Sequence, residues 1–208
     1  MINNLTEIII ILDRSGSMNS IKSDMEEALN SFIEDQKKCK DKANVTLVQF
    51  DDQYREVFKD KPIEDIKEIK IIPRGMTALL DAIGKTINST IEHFEKIYGD
   101  MQPKKVAVVI ITDGEENSSK EFTNHQIKKM ISKQQNNHGW AFTYLGANQD
   151  SFTTAMNIGI PLTDTINYST TTAGIRNVAN SMSKNLSCYR STGIMSGYSD
   201  EDRRNAKL

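Results

Sequence analysis

A chain of 208 residues with 38% hydrophobic and 26% charged side chains can bury the core of one domain, and such a composition makes no case for wholesale disorder. The formal net charge of −2 leaves no basic footprint, which excludes nucleic acid and an anionic membrane surface as expected partners. No apolar run is long enough to span a bilayer, the first strand starts too near Met1 for a cleavable leader to be expected, and Cys39 and Cys188 lack metal-ligand spacing, so the chain reads as cytoplasmic with reduced thiols.

Residues 5 to 12 predict the first strand. The run Ile8-Ile9-Ile10-Ile11-Leu12 is apolar without alternation, the pattern of a central parallel strand buried on both faces. After a turn at Asp13, Ile21, Met25, Ala28, Leu29, Phe32 and Ile33 recur at helical spacing. They predict an amphipathic helix from about Ser20 to Cys39, capped by Asn19 or Ser20. Ala43 to Phe50 is a second strand, Asp51-Asp52-Gln53 a turn, and Tyr54 to Phe58 a short antiparallel strand at the sheet edge, where its charges discourage pairing with another molecule. Residues 60 to 77 read as irregular, with a helical turn near Ile63 to Ile69. Leu80, Ile83, Ile87, Ile91 and Phe94 then mark a long helix from about Ala78 to Tyr98, stopped by Gly99 and Pro103.

Val106 to Thr112 is a third core strand, followed by a helix from about Asn124 to Asn136 and a strand over Gly139 to Gly146. A short helix over Ser151 to Ile158, a weak strand near Thr165 to Tyr168 and a last helix from about Thr171 to Tyr189 complete the pattern. From Ser191 onward the sequence is Ser, Gly and charge without a period, which predicts one domain over residues 1–190 and a mobile tail over 191–208. Alternating strands and helices predict an α/β fold: a doubly wound, mostly parallel sheet with one short antiparallel edge strand and helices on both faces.

The chemistry lies at strand ends. Asp13 closes the first apolar run and is followed by Ser15 and Ser17; Thr77 precedes the long helix; Asp113-Gly114 closes the third core strand. In an open α/β sheet, carboxylates ending neighbouring strands meet in the crevice where strand order reverses. Two carboxylates and three hydroxyls form an oxygen-only donor set suited to a hard divalent cation, with little surplus negative charge around it.

Asp13-x-Ser15-x-Ser17, Thr77 and Asp113-Gly114 resemble, in order and residue by residue, the metal-ion-dependent adhesion site of von Willebrand factor A-type domains, in their bacterial or phage form. The resemblance implies a Rossmann-like fold and a bound Mg²⁺, with Mn²⁺ or Ca²⁺ as substitutes. It implies direct ligation by Ser15 and Ser17, and ligation by Asp13, Thr77 and Asp113 directly or through water. It further implies that an unidentified partner protein supplies a Glu or Asp carboxylate to the open coordination position, and that the domain is not an enzyme.

Other residues near the motif have plainer readings. Arg14 is expected to be exposed and solvated, and Asp51 to belong to a simple turn, although both could stand behind the ligands. Gly75, which punctuates the loop that delivers Thr77, Gly114 and Glu115 could likewise stand behind the ligands, while Glu115, Glu116 and Asn117 are expected to form a solvated loop beyond Asp113. Met18, Met25 and Met76 read as packing residues, as do Trp140 and Tyr144. His93, His125 and His138 are scattered without a metal spacing.

Enzyme readings are weaker. A phosphatase using Asp13 would need a second acid two residues on, where Ser15 stands. Gly84-Lys85-Thr86 lacks the earlier glycine of a phosphate-binding loop, that position being Leu79. Neither Ser15 nor Ser17 lies in a nucleophile elbow.

Overall fold

The computed structural model describes residues 5–99, 103, 105–147 and 150–208; the domain expected over 1–190 therefore includes stretches outside the described residues. Among the described residues there are six strands and six α-helices. In order they are β1 (Thr6–Asp13), α1 (Lys22–Lys37), β2 (Ala43–Phe50), β3 (Tyr54–Pro62), α2 (Leu79–Ile97), β4 (Lys105–Thr112), α3 (Asn124–His138), β5 (Ala141–Gly146), α4 (Ser151–Asn157), β6 (Thr165–Asn167), α5 (Thr172–Thr192) and α6 (Asp200–Asn205).

The sheet order is β3-β2-β1-β4-β5-β6, with every pairing parallel except β2 with β3. Order therefore reverses beside β1, between β2 on one side and β4 on the other. Every residue of β1 is buried, as its unbroken apolar run requires. Ile8, Ile10 and Leu12 face a layer containing Met25, Leu29 and Phe32 of α1 and Ile175, Met182 and Leu186 of α5. Ile9 and Ile11 face the opposite layer, with Ile83 and Ile87 of α2 and Ile127 and Ile131 of α3. Each such isoleucine, fully buried, contributes roughly 1.5–3 kcal/mol. Among the described residues no helix is long and apolar enough to cross a membrane.

The edge strand β3 runs to Pro62, past the expected end at Phe58. Register shifts opposite Val45 and Leu47 absorb its extra length, and Asp60 takes a left-handed φ of 49°. The start of α1 is delayed by a 3-10 turn over Gly16–Ser20.

The largest correction concerns the C-terminus. Instead of a mobile tail from 191, α5 continues to Thr192 and ends on Gly193 at φ 79°, and α6 follows. Ser199 and Asp202 form a reciprocal capping box on α6, while Tyr198 and Ala206 are buried in the α5 layer. Beyond that local cap, the bonds that order this segment reach residues tens of positions away, from backbone and side chains alike, which leaves no periodic trace for a sequence reading to find.

Gly174, in the first turn of α5, shows how closely this segment packs. A Cβ there would stand 2.6 Å from the Ser169 carbonyl oxygen and 2.9 Å from that of Ala206. Gly→Ala in a helix ordinarily adds about 0.5–1 kcal/mol. Gly174→Ala is expected to reverse that sign and cost about 1–3 kcal/mol through backbone displacement. Urea denaturation decides the matter; an unchanged or raised midpoint would show that the segment yields easily.

Candidate metal centre

Parallel pairing of β1 with β4 aligns Leu12 with Ile111, so Asp13 emerges beside Thr112. The Thr112 hydroxyl donates to Asp13 Oδ2 at 2.6 Å, and the Ser15 N–H donates to Oδ1 at 2.6 Å. These bonds hold both carboxylate oxygens at the carboxyl end of the sheet. Ser17 Oγ lies 3.0 Å from Ser15 Oγ and donates to Asp113 Oδ1 at 2.7 Å. Gly114 supplies the remaining geometric marker. A Cβ placed on it would stand 3.0 Å from Thr77 Oγ1, 3.5 Å from Ser17 Oγ and 3.6 Å from Asp13 Oδ2. Oxygens from three separate loops thus face one small space.

Asp13, Ser15 and Thr77 are buried, Asp113 is half-buried, and Ser17 is exposed. The cluster is a cradle with a buried floor and an open rim. Among the described residues, no group of three or more His, Cys, Asp and Glu could hold a metal ion; the donor set here is two carboxylates and three hydroxyls, which matches hard cations such as Mg²⁺.

Burial raises the Asp13 carboxyl to about 6, against hydrogen bonds from Thr112 and Ser15 that lower it and the Asp113 charge that raises it further. Burial likewise raises Asp113, with the Ser17 hydrogen bond opposing. Arg14 does not relieve these charges. Expected at the surface, it is buried, with Nε 3.0 Å from Asp51 Oδ2 in an ion pair without a well-aligned hydrogen bond. Asp51 is likewise more than a turn residue: it is fully buried and also receives Arg74 Nε at 2.6 Å. Against burial, which raises it, the Arg74 hydrogen bond, the Gln53 N–H and the charges of both arginines hold its carboxyl below the usual range. Arg14 N–H donates to Phe50 O at 2.7 Å and its carbonyl accepts from Arg74 N at 2.9 Å, so Asp51 ties together three chain segments behind the cradle.

Thr77 is set by the loop after β4. The Thr77 N–H donates to Asn117 Oδ1 at 2.9 Å, and the Asn117 N–H returns to Thr77 O at 3.0 Å. The residue capping α2 is Ala78, which offers no side-chain acceptor. Glu116 acts in its place, accepting from the Leu80 N–H at 2.9 Å and from the Ser118 and Ser119 amides. Asp81 reciprocates from the helix, accepting the N–H groups of Lys120, Glu121 and Phe122 at 2.9 Å each. Glu116 and Asn117 are therefore structural clamps, whereas Glu115 is exposed as expected. In the sequence Thr77 stands directly before the helix as a polar cap; the structure puts Ala78 at the cap instead, so the need for an acceptor from another loop shows only in the fold.

Gly75 lies at φ 68°, where a Cβ would strike Asp52, and its carbonyl accepts the Gly16 N–H at 3.2 Å. Met18 and Met25 are buried packing residues, but Met76 is 53% exposed at the rim and does not pack. Trp140 and Tyr144 are buried in the core.

Without metal, native Asp13 retains its proton up to about pH 6, while the unfolded residue loses it near about 3.9. The native state therefore binds more protons between these values, and its stability falls as pH rises through that window. The penalty at neutral pH is ~2–3 kcal/mol. In chelator, Asp13→Asn should be more stable than wild type at pH 7.5, the difference closing towards pH 4.5. Parallel melting-temperature profiles for the two proteins would contradict the assignment.

The profile of the von Willebrand factor type A domain matches residues 7–181. No curated protein matches the sequence. Among solved structures, proximal thread matrix protein 1 from the mussel byssus is 14% identical over 90% of this chain and 47% of its own, with a TM-score of 0.60. A von Willebrand factor type A protein from Catenulispora acidiphila is 16% identical over 88% of this chain and 42% of its own, at 0.59. The ArnB paralog VWA2 from Sulfolobus acidocaldarius is 12% identical over 88% and 45%, at 0.54. The chain spans about half the length of these three proteins, and at such identities the likeness speaks to the fold.

Proposed function

The chain belongs to the von Willebrand factor type A domain family, and from that premise we propose that it is a divalent-cation-dependent protein-recognition module. In this reading Asp13, Ser15, Ser17, Thr77 and Asp113 form a metal-ion-dependent adhesion site for Mg²⁺, with Mn²⁺ or Ca²⁺ as substitutes. An Asp or Glu carboxylate of a partner protein completes the coordination. The observation that carries it is the convergence of Thr77, Ser17 and Asp13 oxygens within 3.0–3.6 Å of one point beside Gly114.

When bound, the cation supplies a positive centre that an anionic oxygen can join. The protein's part is preorganisation. Ser15 N–H and Thr112 Oγ1 orient Asp13, Asn117 holds Thr77, and Asp51 keeps the Arg14 and Arg74 charges engaged behind the cradle. Ser17 and Asp113 stand at the accessible rim, where a partner would approach.

Catalysis is not part of the proposal. Ser15 stands where a phosphatase of the Asp13 type would carry its acid, His93 is engaged by Asp60, and His125 and His138 are exposed on α3. Free thiols at Cys39 and Cys188 suit a reducing compartment, and the proposal places the module in the cytoplasm.

Calorimetry should record saturable uptake of one Mg²⁺ or Mn²⁺ per chain, and a hundredfold excess over Kd should stabilise the fold by about 2.7 kcal/mol. Asp13→Ala and Thr77→Ala should fold but lose both uptake and any partner recovered from the host in Mg²⁺ and released by chelator. Correctly folded wild type that takes up no divalent ion would end this reading. Uptake with identical partner recovery from wild type and Asp13→Ala would reduce the metal to a structural role.

A further inference from the structure

Glu7 lies near the amino end of β1, at the other end of that strand from Asp13, on the same face as Ile9 and Ile11. It is 1% exposed. Its Oε1 accepts the Thr46 hydroxyl of β2 at 2.6 Å, and its Oε2, also buried, has no hydrogen-bond partner among the described residues. A carboxylate kept ionised away from water needs several donors. Glu7 has one.

Asp60, on the edge strand β3, has the donors that Glu7 lacks. Asn44 Nδ2 donates to its Oδ1 at 2.6 Å, the Tyr98 hydroxyl lies 2.8 and 2.6 Å from its two oxygens, and His93 Nε2 lies 3.0 Å from Oδ2. Thr46 joins the two acids, since the Asp60 N–H donates at 3.0 Å to the same hydroxyl that donates to Glu7. Two neighbouring carboxyl groups with such unequal donor sets take opposite ionisation states. Against burial, hydrogen bonds from Tyr98, His93 and Asn44 and the charge of protonated His93 hold Asp60 below the usual carboxylate range. Burial pushes Glu7 well above it; the Thr46 hydrogen bond and the Lys59 charge oppose, and Asp60 adds to the rise.

Among the described residues few other charges face the pair. β3 brings Lys59, which is paired with Glu56 at 2.7 Å. α2 brings His93 and Tyr98, whose phenol is pushed up by burial and by Asp60 and so stays a donor. β2 contributes the neutral Asn44 and Thr46. In register on β4 stands Val106, while Lys105 is turned to the Arg190 carbonyl.

We infer that Glu7 is held as a neutral carboxylic acid whose proton locks the end of β3 against α2, and that loss of this proton as pH rises frees the sheet edge at Asp60. Glu7 is fixed on a strand paired on both sides and cannot turn to water. Asp60 can, because it stands on the edge strand beside the register shifts, at a φ of 49° that a non-glycine residue seldom holds. A second negative charge beside it expels Asp60, and the Asn44, His93 and Tyr98 bonds go with it. The stretch of β2 then uncovered, Asn44 to Leu47, is open to pairing with another strand.

The device is independent of cation binding at the cradle. Its test is carboxyl carbon NMR of the full chain labelled at glutamate, which leaves Asp13 and the other aspartates silent, with protection of the Asp60 amide from hydrogen exchange followed on the same samples. Unfolded Glu7 ionises at about 4.3 and native Glu7 at higher pH, so the native state binds the extra proton in that window and loses stability as pH rises through it. At neutral pH one glutamate carboxyl should still be protonated, and Glu7→Gln, which keeps the neutral shape, should remove that signal. As pH rises further, Asp60 protection in wild type should fall at least about tenfold over the range in which the signal titrates, and Glu7→Gln should retain its protection. If every glutamate is ionised at neutral pH, both the neutral acid and the lock are overturned. A protonated Glu7 whose titration leaves Asp60 protection unchanged would overturn the lock, as would an equal loss of protection in Glu7→Gln. Should Glu7→Gln not fold, the two wild-type midpoints decide: coincidence supports the lock and separation overturns it.

Discussion

The structure depends on β1 lying between β2 and β4. Because β1 runs parallel to both, the carboxyl end of β1 opens at the point where strand order reverses, and Asp13 has a neighbour on β4 rather than bulk water. Thr112 then reaches Asp13 at 2.6 Å. Everything distinctive in the electrostatics follows from that placement. A carboxylate at the end of a fully buried strand is stripped of solvent, a second carboxylate follows one residue beyond Thr112, and Arg14 and Arg74 are engaged by Asp51 instead. The site holds unbalanced negative charge at a fixed position, which favours an arriving cation.

Holding such charge requires rigid surroundings, and the loops supply them by exchanging acceptors. The start of α2 lacks a polar cap and borrows Glu116; the loop containing Glu116 lacks regular structure and borrows Asp81 from α2. Each half leaves backbone N–H groups that only the other can satisfy, so neither the Thr77 loop nor the Asp113 loop can drift without exposing unpaired donors, at a cost of roughly 1–3 kcal/mol each. Asp51 performs the same service on the opposite side, joining Arg14 and Arg74. Buried ion pairs are weak evidence for stability, but here the pairing fixes the course of three loops around the cradle.

The C-terminal segment extends this logic beyond the family's matched stretch. The short edge strand β6 and the turn before it present carbonyls at Thr165 and Thr163 that would otherwise face water, and Arg203 and Tyr198 satisfy them. Covering an edge in this way removes a template for unwanted strand pairing.

Sequence alone determined the order and kind of the elements from β1 to α5, because the Ile8 to Leu12 run, the spacing of Ile83 and Ile87, and the glycines and prolines between elements are local signals of burial and turn formation. It also singled out Asp13, Ser15, Ser17, Thr77 and Asp113 as candidate ligands, since oxygen-bearing residues beside element ends form a pattern that can be matched in order; that the oxygens of Asp13, Ser17 and Thr77 lie close together beside Gly114 is a property of the fold. Tertiary structure alone decided that Arg14 is buried against Asp51, that Glu116 and Asn117 clamp the Thr77 loop, and that residues 194–208 are ordered. In each of these cases the partner lies tens of residues away, on another element or loop. Such contacts have no period along the chain; they exist only once the sheet has brought their two ends together.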